Sequence, residues 1–303
     1  MSIILESTLP LPLFCQGKVR DTYELGNKLL MVATDRISAF DNVLPCGIPD
    51  KGIILNQISA FWFKKTVSLI PNHLIEVVND ISLLYDYQPS VSFPDYLAHR
   101  SMIVHKAKRI PVECVVRGYL SGSAWTEYKQ SSNVFDLPLP RGLRENQELP
   151  KPLFTPTTKA ESGHDQPLDK RSLIKLVGKA MTQELKEKSL LIYKCAQDYA
   201  KTKGIIIADT KFEFGLIDDK LVLIDELLTP DSSRFWDASQ YVVGRSQPSF
   251  DKQPVRDWLL ASGWNKEPQA PKLPPEIIGA TTHRYREAYR KLTGGTLFPL
   301  IGT

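Results

Sequence analysis

Apolar positions along this chain switch between two periods, and the switches mark its elements. Lys28–Thr34 (KLLMVAT) is a short apolar run that reads as a strand, preceded by the glycine-containing turn and strand Gly17–Tyr23. Ile54, Ile58, Phe61 and Trp62 fall at i, i+4, i+7 and i+8, one stripe on a helix predicted over Lys51–Leu69. Met102–Val104 and Val112–Val116 read as strands separated by the polar KAKRIP. Asp136–Pro156 carries Pro138, Pro140, Pro150, Pro152 and Pro156 and reads as a long surface excursion, not a flexible linker. A second stripe (Ile192, Cys195, Ala196, Tyr199) predicts that Asp169–Lys203 is mostly helix, stopping at Gly204. Ile205–Ala208 and Phe212–Ile217 then form one arm of a hairpin, with Asp218-Asp219 as its turn and Leu221–Ile224 as the return. Val255–Ala261 and Pro275–Leu292 are predicted helices. Pro274-Pro275 opens the last one, and Tyr285, Tyr289 and Leu292 form its apolar face. Strands, helix, strands, helix, hairpin and helices in that order give an α+β fold with antiparallel sheets, not a doubly wound one.

The totals change this picture little. The 303 residues suffice for one elaborate domain or two packed lobes, and 42% hydrophobic with 24% charged residues is ordinary for a soluble protein. The net charge of +4 is spread along the chain without a basic block, so it favours small anionic substrates over nucleic acid. Cys15, Cys46, Cys114 and Cys195 are far apart and in no zinc-ligand spacing, which predicts free thiols in a cytoplasmic protein. The first residues carry Glu6 and prolines but no basic region, so neither a signal peptide nor a membrane span is expected.

The hairpin carries the chemistry. Asp209, Glu213, Asp225 and Glu226 sit inside or at the ends of apolar strands, where unpaired carboxylates are costly. Glu213 and Asp225 are placed to meet across the pair, and two facing carboxylates call for a cation such as Mg²⁺. Lys211 and Arg234 add positive charge suited to phosphate. A solvated surface hairpin is the competing reading.

Four further segments stand out. In Gly17–Asp21 (GKVRD) a glycine lets backbone N–H groups approach an anion beside Lys18 and Arg20, although no Walker motif is present and a plain β-turn gives the same pattern. Asp35–Asp41 (DRISAFD) suits a binding rim, or else a helix cap with a local ion pair. In Pro111–Trp125 a buried strand around Glu113 would pass an adenine. Arg117 and Ser123 follow, the latter near a helix start that favours anions; a glycine-rich connection is the plainer alternative. Phe154–Asp165 crowds Lys159, Glu161, His164 and Asp165 into a short loop, where a structural histidine is the commoner case.

GKVRD, DRISAFD, ECVVRGYLSGSAW, FTPTTKAESGHD, ADTKFEFG and DELLTPDSSRFW occur here in that order. Together they resemble the SAICAR synthetase family from about Gly17 to Trp236, and the C-terminal helices fit its single-function long form. The resemblance implies an ATP- and Mg²⁺-dependent ligase of purine biosynthesis. It would condense a carboxylated aminoimidazole ribonucleotide (CAIR) with L-aspartate to give SAICAR, ADP and phosphate. It implies a two-lobed fold similar to ATP-grasp enzymes, with an N-terminal antiparallel lobe over residues 1–110 and a larger α+β lobe over 111–303. Gly17, Lys18, Val19 and Arg20 would cover the triphosphate, Glu113, Cys114 and Val115 would form the adenine-side hinge, and Lys211 would contact ATP phosphates. Glu213 and Asp225 would hold Mg²⁺. Arg117, Ser123, Asp231 and Arg234 would hold CAIR, with Asp35, Lys159 and His164 lining the rest of the substrate pocket. The sequence does not identify a base for the aspartate ammonium; Asp209 is one candidate. A monomer is expected over an oligomer.

Two other functions fit parts of the pattern. A small-molecule kinase would use the same hairpin and loop. A nucleotide- or RNA-binding module would use RGYLSGSAW, but it lacks support from the modest charge and from any aromatic strand pattern.

Overall fold

The computed structural model describes residues 2–135, 137–159 and 166–297. Its first sheet is built from β1 (Leu13–Gln16), β2 (Arg20–Leu25) and β3 (Lys28–Ala33). A small hairpin follows, β4 (Arg36–Ala39) with β5 (Asn42–Gly47), and then helix α1 (Lys51–Thr66). β6 (Leu74–Val78) and β7 (Ser101–His105) complete the sheet in the antiparallel order β1-β2-β3-β7-β6. α1 lies between β3 and the last helix of the chain, so it is buried on more than its predicted stripe: Ile53, Leu55 and Phe63 are enclosed as well as Ile54, Ile58 and Trp62.

The second sheet begins only two residues after β7. β8 (Lys108–Tyr119) swallows most of the polar KAKRIP, which was expected to separate two strands. Pro111 is tolerated because the register with the neighbouring strand jumps there, between the pairs Glu213↔Glu113 and Gly215↔Arg109. Helix α2 (Gly122–Ser131), the short pair β9 (Asn133–Val134) and β10 (Leu137–Pro138), β11 (Glu148–Phe154) and β12 (Thr157–Thr158) follow. The proline-rich excursion therefore contains a strand, β11, at the edge of the sheet. The long helical region is split at Gly178, whose φ of 85° is left-handed, into α3 (Lys170–Val177) and α4 (Lys179–Thr202).

The predicted hairpin is β13 (Ile205–Ile217) and β14 (Lys220–Ile224), turning at Asp218-Asp219. β15 (Ser233–Asp237), α5 (Gln253–Ala261) and α6 (Pro275–Thr293) end the chain's regular structure. The sheet runs β11-β8-β13-β14, with β12 also on β8 and β15 also on β13. β13 is bulged at two places, between Ile207 and Asp209 against β15 and between Glu213 and Gly215 against β8.

Strand alternation gives this sheet two different faces. Cys114, Val116, Phe212 and Phe214 point one way, are almost fully buried, and share a core with Leu185, Ile192 and Ala196 of α4. Glu113, Val115 and Arg117 of β8 and Asp209, Lys211 and Glu213 of β13 point the other way and pair with each other across the two strands. The acids that looked misplaced inside apolar strands are the alternate positions on the face opposite the core.

Candidate active site

That polar face forms one wall of a cleft of about 380 Å³, lined among others by Lys18, Val115, Arg117, Lys211, Asp231 and Lys252. At one end the register Asp209↔Arg117 on β8 and Asp209↔Arg234 on β15 brings three side chains together. Asp209 Oδ2 accepts from Arg117 Nη1 at 3.4 Å and also from Arg234 Nη1. Arg117 additionally donates from Nε to Thr155 Oγ1 at 3.1 Å and from Nη2 to Ser123 Oγ at 3.4 Å. Ser123 and Arg234 line the cleft where α2 begins. Gly122 at that helix start has φ +57°, and a Cβ there would lie 2.4 Å from Arg234 Nη2, so only glycine leaves room for the guanidinium. Burial is costly for two guanidiniums, and the shared carboxylate offsets that cost: Arg234 is raised above the ordinary arginine range by Asp209, against the effect of burial.

A second group closes this end. Asp231 Oδ1 accepts from the Tyr285 hydroxyl at 2.6 Å, Asp231 Oδ2 lies 2.7 Å from Lys51 Nζ, and Lys252 Nζ is 4.0 Å from Oδ1. Lys51 is fully buried. Burial would raise Asp231, but Lys252 and Lys51 outweigh it and hold the carboxyl well below its usual range. Lys252 is lowered to about 8, first by burial and then by Arg256, Lys51 and Lys211, with Asp231 opposing.

At the other end of the polar sheet face carboxylates crowd together. Glu213 pairs across the strands with Glu113, not with Asp225; its partner on β14 is Ile224, one residue short of Asp225. Lys159 Nζ lies 2.7 Å from Oε1 of both glutamates, and Lys211 Nζ is 2.9 Å from Glu113 Oε1. Asp225, with a left-handed φ of 66°, leaves the strand to pair with Arg20, whose Nη1 is also 3.4 Å from Glu226 Oε2. Glu213 is raised, first by burial and then by the Asp225 charge. Glu113 is lowered, because Lys211 and Lys159 outweigh its burial. Glu213 and Asp225, two carboxylates that repel each other, are oxygen ligands of the kind a hard cation takes. Among the described residues no group of three or more His, Cys, Asp or Glu side chains forms a metal cage.

A profile described as SAICAR synthetase matches residues 13–271. The chain belongs to the SAICAR synthetase family. It is 52% identical over 293 residues to the phosphoribosylaminoimidazole-succinocarboxamide synthase of Thermodesulfovibrio yellowstonii, covering 96% of this chain and 99% of that one. A relative of the same name from Elusimicrobium minutum is 48% identical over 292 residues, covering 96% and 99%. Among solved structures, a SAICAR synthase from Saccharomyces cerevisiae complexed with SAICAR matches with a TM-score of 0.88 at 45% identity, covering 98% of this chain and all of that one. A SAICAR synthetase described in complex with ADP matches with a TM-score of 0.68 at 26% identity, covering 93% and 98%.

The family pattern and the geometry differ at several positions. Glu113, Cys114 and Val115 do not offer a free strand edge to an adenine. β8 is an inner strand there: Glu113 pairs with both Glu213 and Thr157, and Val115 O accepts from Thr155 N at 2.9 Å. Gly17 N does not face an anion but donates to Arg20 O at 2.7 Å, and a Cβ on Gly17 would press on that oxygen at 3.2 Å. The loop is also less loose than its composition suggests. Arg36 binds Lys18 O at 3.1 Å, Gly17 O at 2.9 Å and the buried Asp21 at 2.6 Å, while Val19 O accepts from Thr34 N at 3.0 Å. Lys18 itself is half exposed and paired with Asp41. Asp35 does not line the cleft; it is 1% exposed and accepts from Ile4 N at 2.8 Å and Gly52 N at 2.9 Å, so it ties the N-terminus to α1. Asp209 lines the cleft with its Oδ2 committed to two guanidiniums, which makes it a weak acceptor for a substrate proton. His164 lies outside the described residues.

Sequence reading missed Lys51, Lys252, Arg256 and Tyr285. The only local sign was a lysine standing directly before the Gln253-Pro254 helix start, where a small polar cap is the usual residue.

Proposed function

We propose that this chain is an ATP-dependent ligase that condenses CAIR with L-aspartate, giving SAICAR, ADP and phosphate in purine biosynthesis. One observation carries the proposal: a single sheet face, in a chain 45% identical to a SAICAR-bound synthase, holds a cation-rich end that lines the cleft and a carboxylate-rich end next to it along the same strands. A carboxylate is a poor electrophile until its oxygen becomes a leaving group, and phosphorylation by ATP makes it one. Three anionic reactants must then share a small volume, and fixed charges must offset their repulsion.

The residues divide this work. Arg117 and Arg234, held in register by Asp209, present planar donors for the phosphate and carboxylate of CAIR, with Ser123 at the helix start beside them. Lys18 and Lys211 follow the triphosphate. Glu213 and Asp225 would hold Mg²⁺, which would offset negative charge on the phosphates. Lys159 and Arg20 neutralise those carboxylates while the cation is away. Residues 1–110 and 111–303 then act as two lobes with the nucleotide between them. Cys15, Cys46, Cys114 and Cys195 are all free, which favours a reducing, cytoplasmic setting, and among the described residues no helix is long and apolar enough to cross a membrane. We take the working unit to be a monomer, which sedimentation would check.

The deciding assay is ADP formation with CAIR and L-aspartate together, compared with each omitted. Turnover is expected only with both. Aspartate-independent turnover would mark a kinase, and salt-sensitive RNA binding without turnover would mark a binding module.

A further inference from the structure

The condensation needs a proton acceptor. At neutral pH the amine of an α-amino acid arrives as an ammonium, which has no lone pair. Asp209 is poorly suited, because two guanidiniums bear on its Oδ2 and protonation would leave both facing a neutral acid. So is Asp231, since Lys51 and Tyr285 hold it as an anion deep in the wall.

Lys252 stands differently. It lines the cleft with its side chain 12% exposed. It occupies the N-cap of α5, the positive end of that helix, where a cation is disfavoured. Arg256 follows one turn later on the same helix and lines the same cleft, and Lys51 and Lys211 add further positive charge. Among the described residues Asp231 is the one acid near its ammonium group, at 4.0 Å, and it is closer to Lys51 at 2.7 Å. The adjacent Asp251 is engaged elsewhere: it accepts from Gln253 N at 2.7 Å and Phe235 N at 3.2 Å, and lies 3.8 Å from Arg256. Lys252 is thus a cleft lysine crowded by like charge and weakly paired.

We propose that Lys252 is the general base of this site, accepting a proton from the amino group of the L-aspartate co-substrate. The proposal rests on the ligase reading above. Neutral Lys252 Nζ takes one proton from the ammonium and becomes an ammonium itself. The freed nitrogen lone pair forms the C–N bond to the carbonyl carbon of the carboxylate that ATP has phosphorylated. The C–O bond to the phosphorylated oxygen breaks, and its electron pair leaves with phosphate. The second proton lost by nitrogen departs on that phosphate as hydrogen phosphate. The lowered Lys252, at about 8, keeps a usable neutral fraction near physiological pH.

The test uses the full chain with saturating ATP–Mg²⁺ and CAIR. The rate with L-aspartate is followed against pH for the parent, Lys252→Met and Lys252→Arg. The parent should rise with pH through an ionisation near 8. Lys252→Met should lose about 10²-fold or more in kcat, the usual contribution of a general base, with the KM for ATP little changed and that ionisation gone. Lys252→Arg keeps the charge beside Asp231 but cannot act as a base, so it should fail equally. If Lys252→Met does not fold, the same profile on Lys252→Arg decides. The proposal is overturned if the ionisation survives in a folded variant, if arginine restores the rate, or if the loss lies wholly in the KM for L-aspartate. Absence of any aspartate-dependent ADP formation by the parent would instead defeat the ligase reading itself.

Discussion

The two ends of the polar sheet face use the same strands for opposite purposes. At the Asp209 end, guanidiniums and lysines outnumber the carboxylates, and each acid is spent on holding a base in place. At the Glu213 end, carboxylates crowd together and the lysines hold them. The change of character takes only two strand steps, from Asp209↔Arg117 to Glu213↔Glu113, because every second residue returns to the same face. A cation-rich end and a carboxylate-rich end can therefore sit side by side on two paired strands, without a loop between them.

Replacing one carboxylate should separate function from stability. Glu213→Gln keeps the shape but removes the charge, and turnover should fall by about 10²-fold or more, the scale for losing a partner of transition-state charge. Near-normal activity at saturating Mg²⁺ would end the metal assignment. The same change should leave the protein as stable or more so, by about 2 °C in melting temperature at neutral pH. The sign follows from the raised carboxyl: its ionised form weakens the fold as pH rises through its folded pKa. Glu113 is the control, since its carboxyl is lowered and supports the fold above the ordinary carboxylate range. That support is lost as pH falls through its folded pKa. Glu113→Gln should therefore lower the neutral-pH melting temperature, and an increase would contradict the assignment of the two roles.

At the cationic end, Arg234→Lys loses the planar double donor and should raise the KM for CAIR by about tenfold, with much less effect on ATP. Equal effects on both would make Arg234 a structural residue. A smaller effect is expected at the loop. Lys18→Ala should weaken ATP use with little change in melting temperature, because the side chain is 51% exposed. Hydrogen exchange over Gly17–Thr22 should slow with ATP–Mg²⁺ and respond little to L-aspartate alone. The change should be modest, since Arg36 already pins the carbonyls of Gly17 and Lys18. The smallest effect concerns the thiols: all four should titrate after denaturation, and Cys15, the exposed one, should react first in the native protein.

The hairpin was legible because Gly204 and Asp218-Asp219 bracket it and its acids alternate with Phe212 and Phe214. β11 was not, because Pro150 and Pro152 read as breakers, and an edge strand can accommodate them where an inner strand cannot. The guanidinium clamp was half legible: Arg117, Asp209 and Arg234 stood out separately, but only the strand register shows that one carboxylate serves both arginines. Of the Lys51–Asp231–Tyr285 group only Asp231 was legible, through the family resemblance. Its members are spread over most of the chain, and the other two sit in unremarkable local patterns, a lysine at a helix start and a tyrosine on an apolar stripe. The adenine hinge failed for a topological reason, since nothing local tells an inner strand from an edge.

The two bulges in β13 confine Asp209, Lys211 and Glu213 to a short stretch whose phase is fixed at both ends. Losing one residue between them would turn the charged side chains toward α4 and push Phe212 out into the cleft. Such a deletion would empty the core and the reaction centre in one event. For this strand, evolution can exchange side chains one at a time but has almost no freedom to change its length.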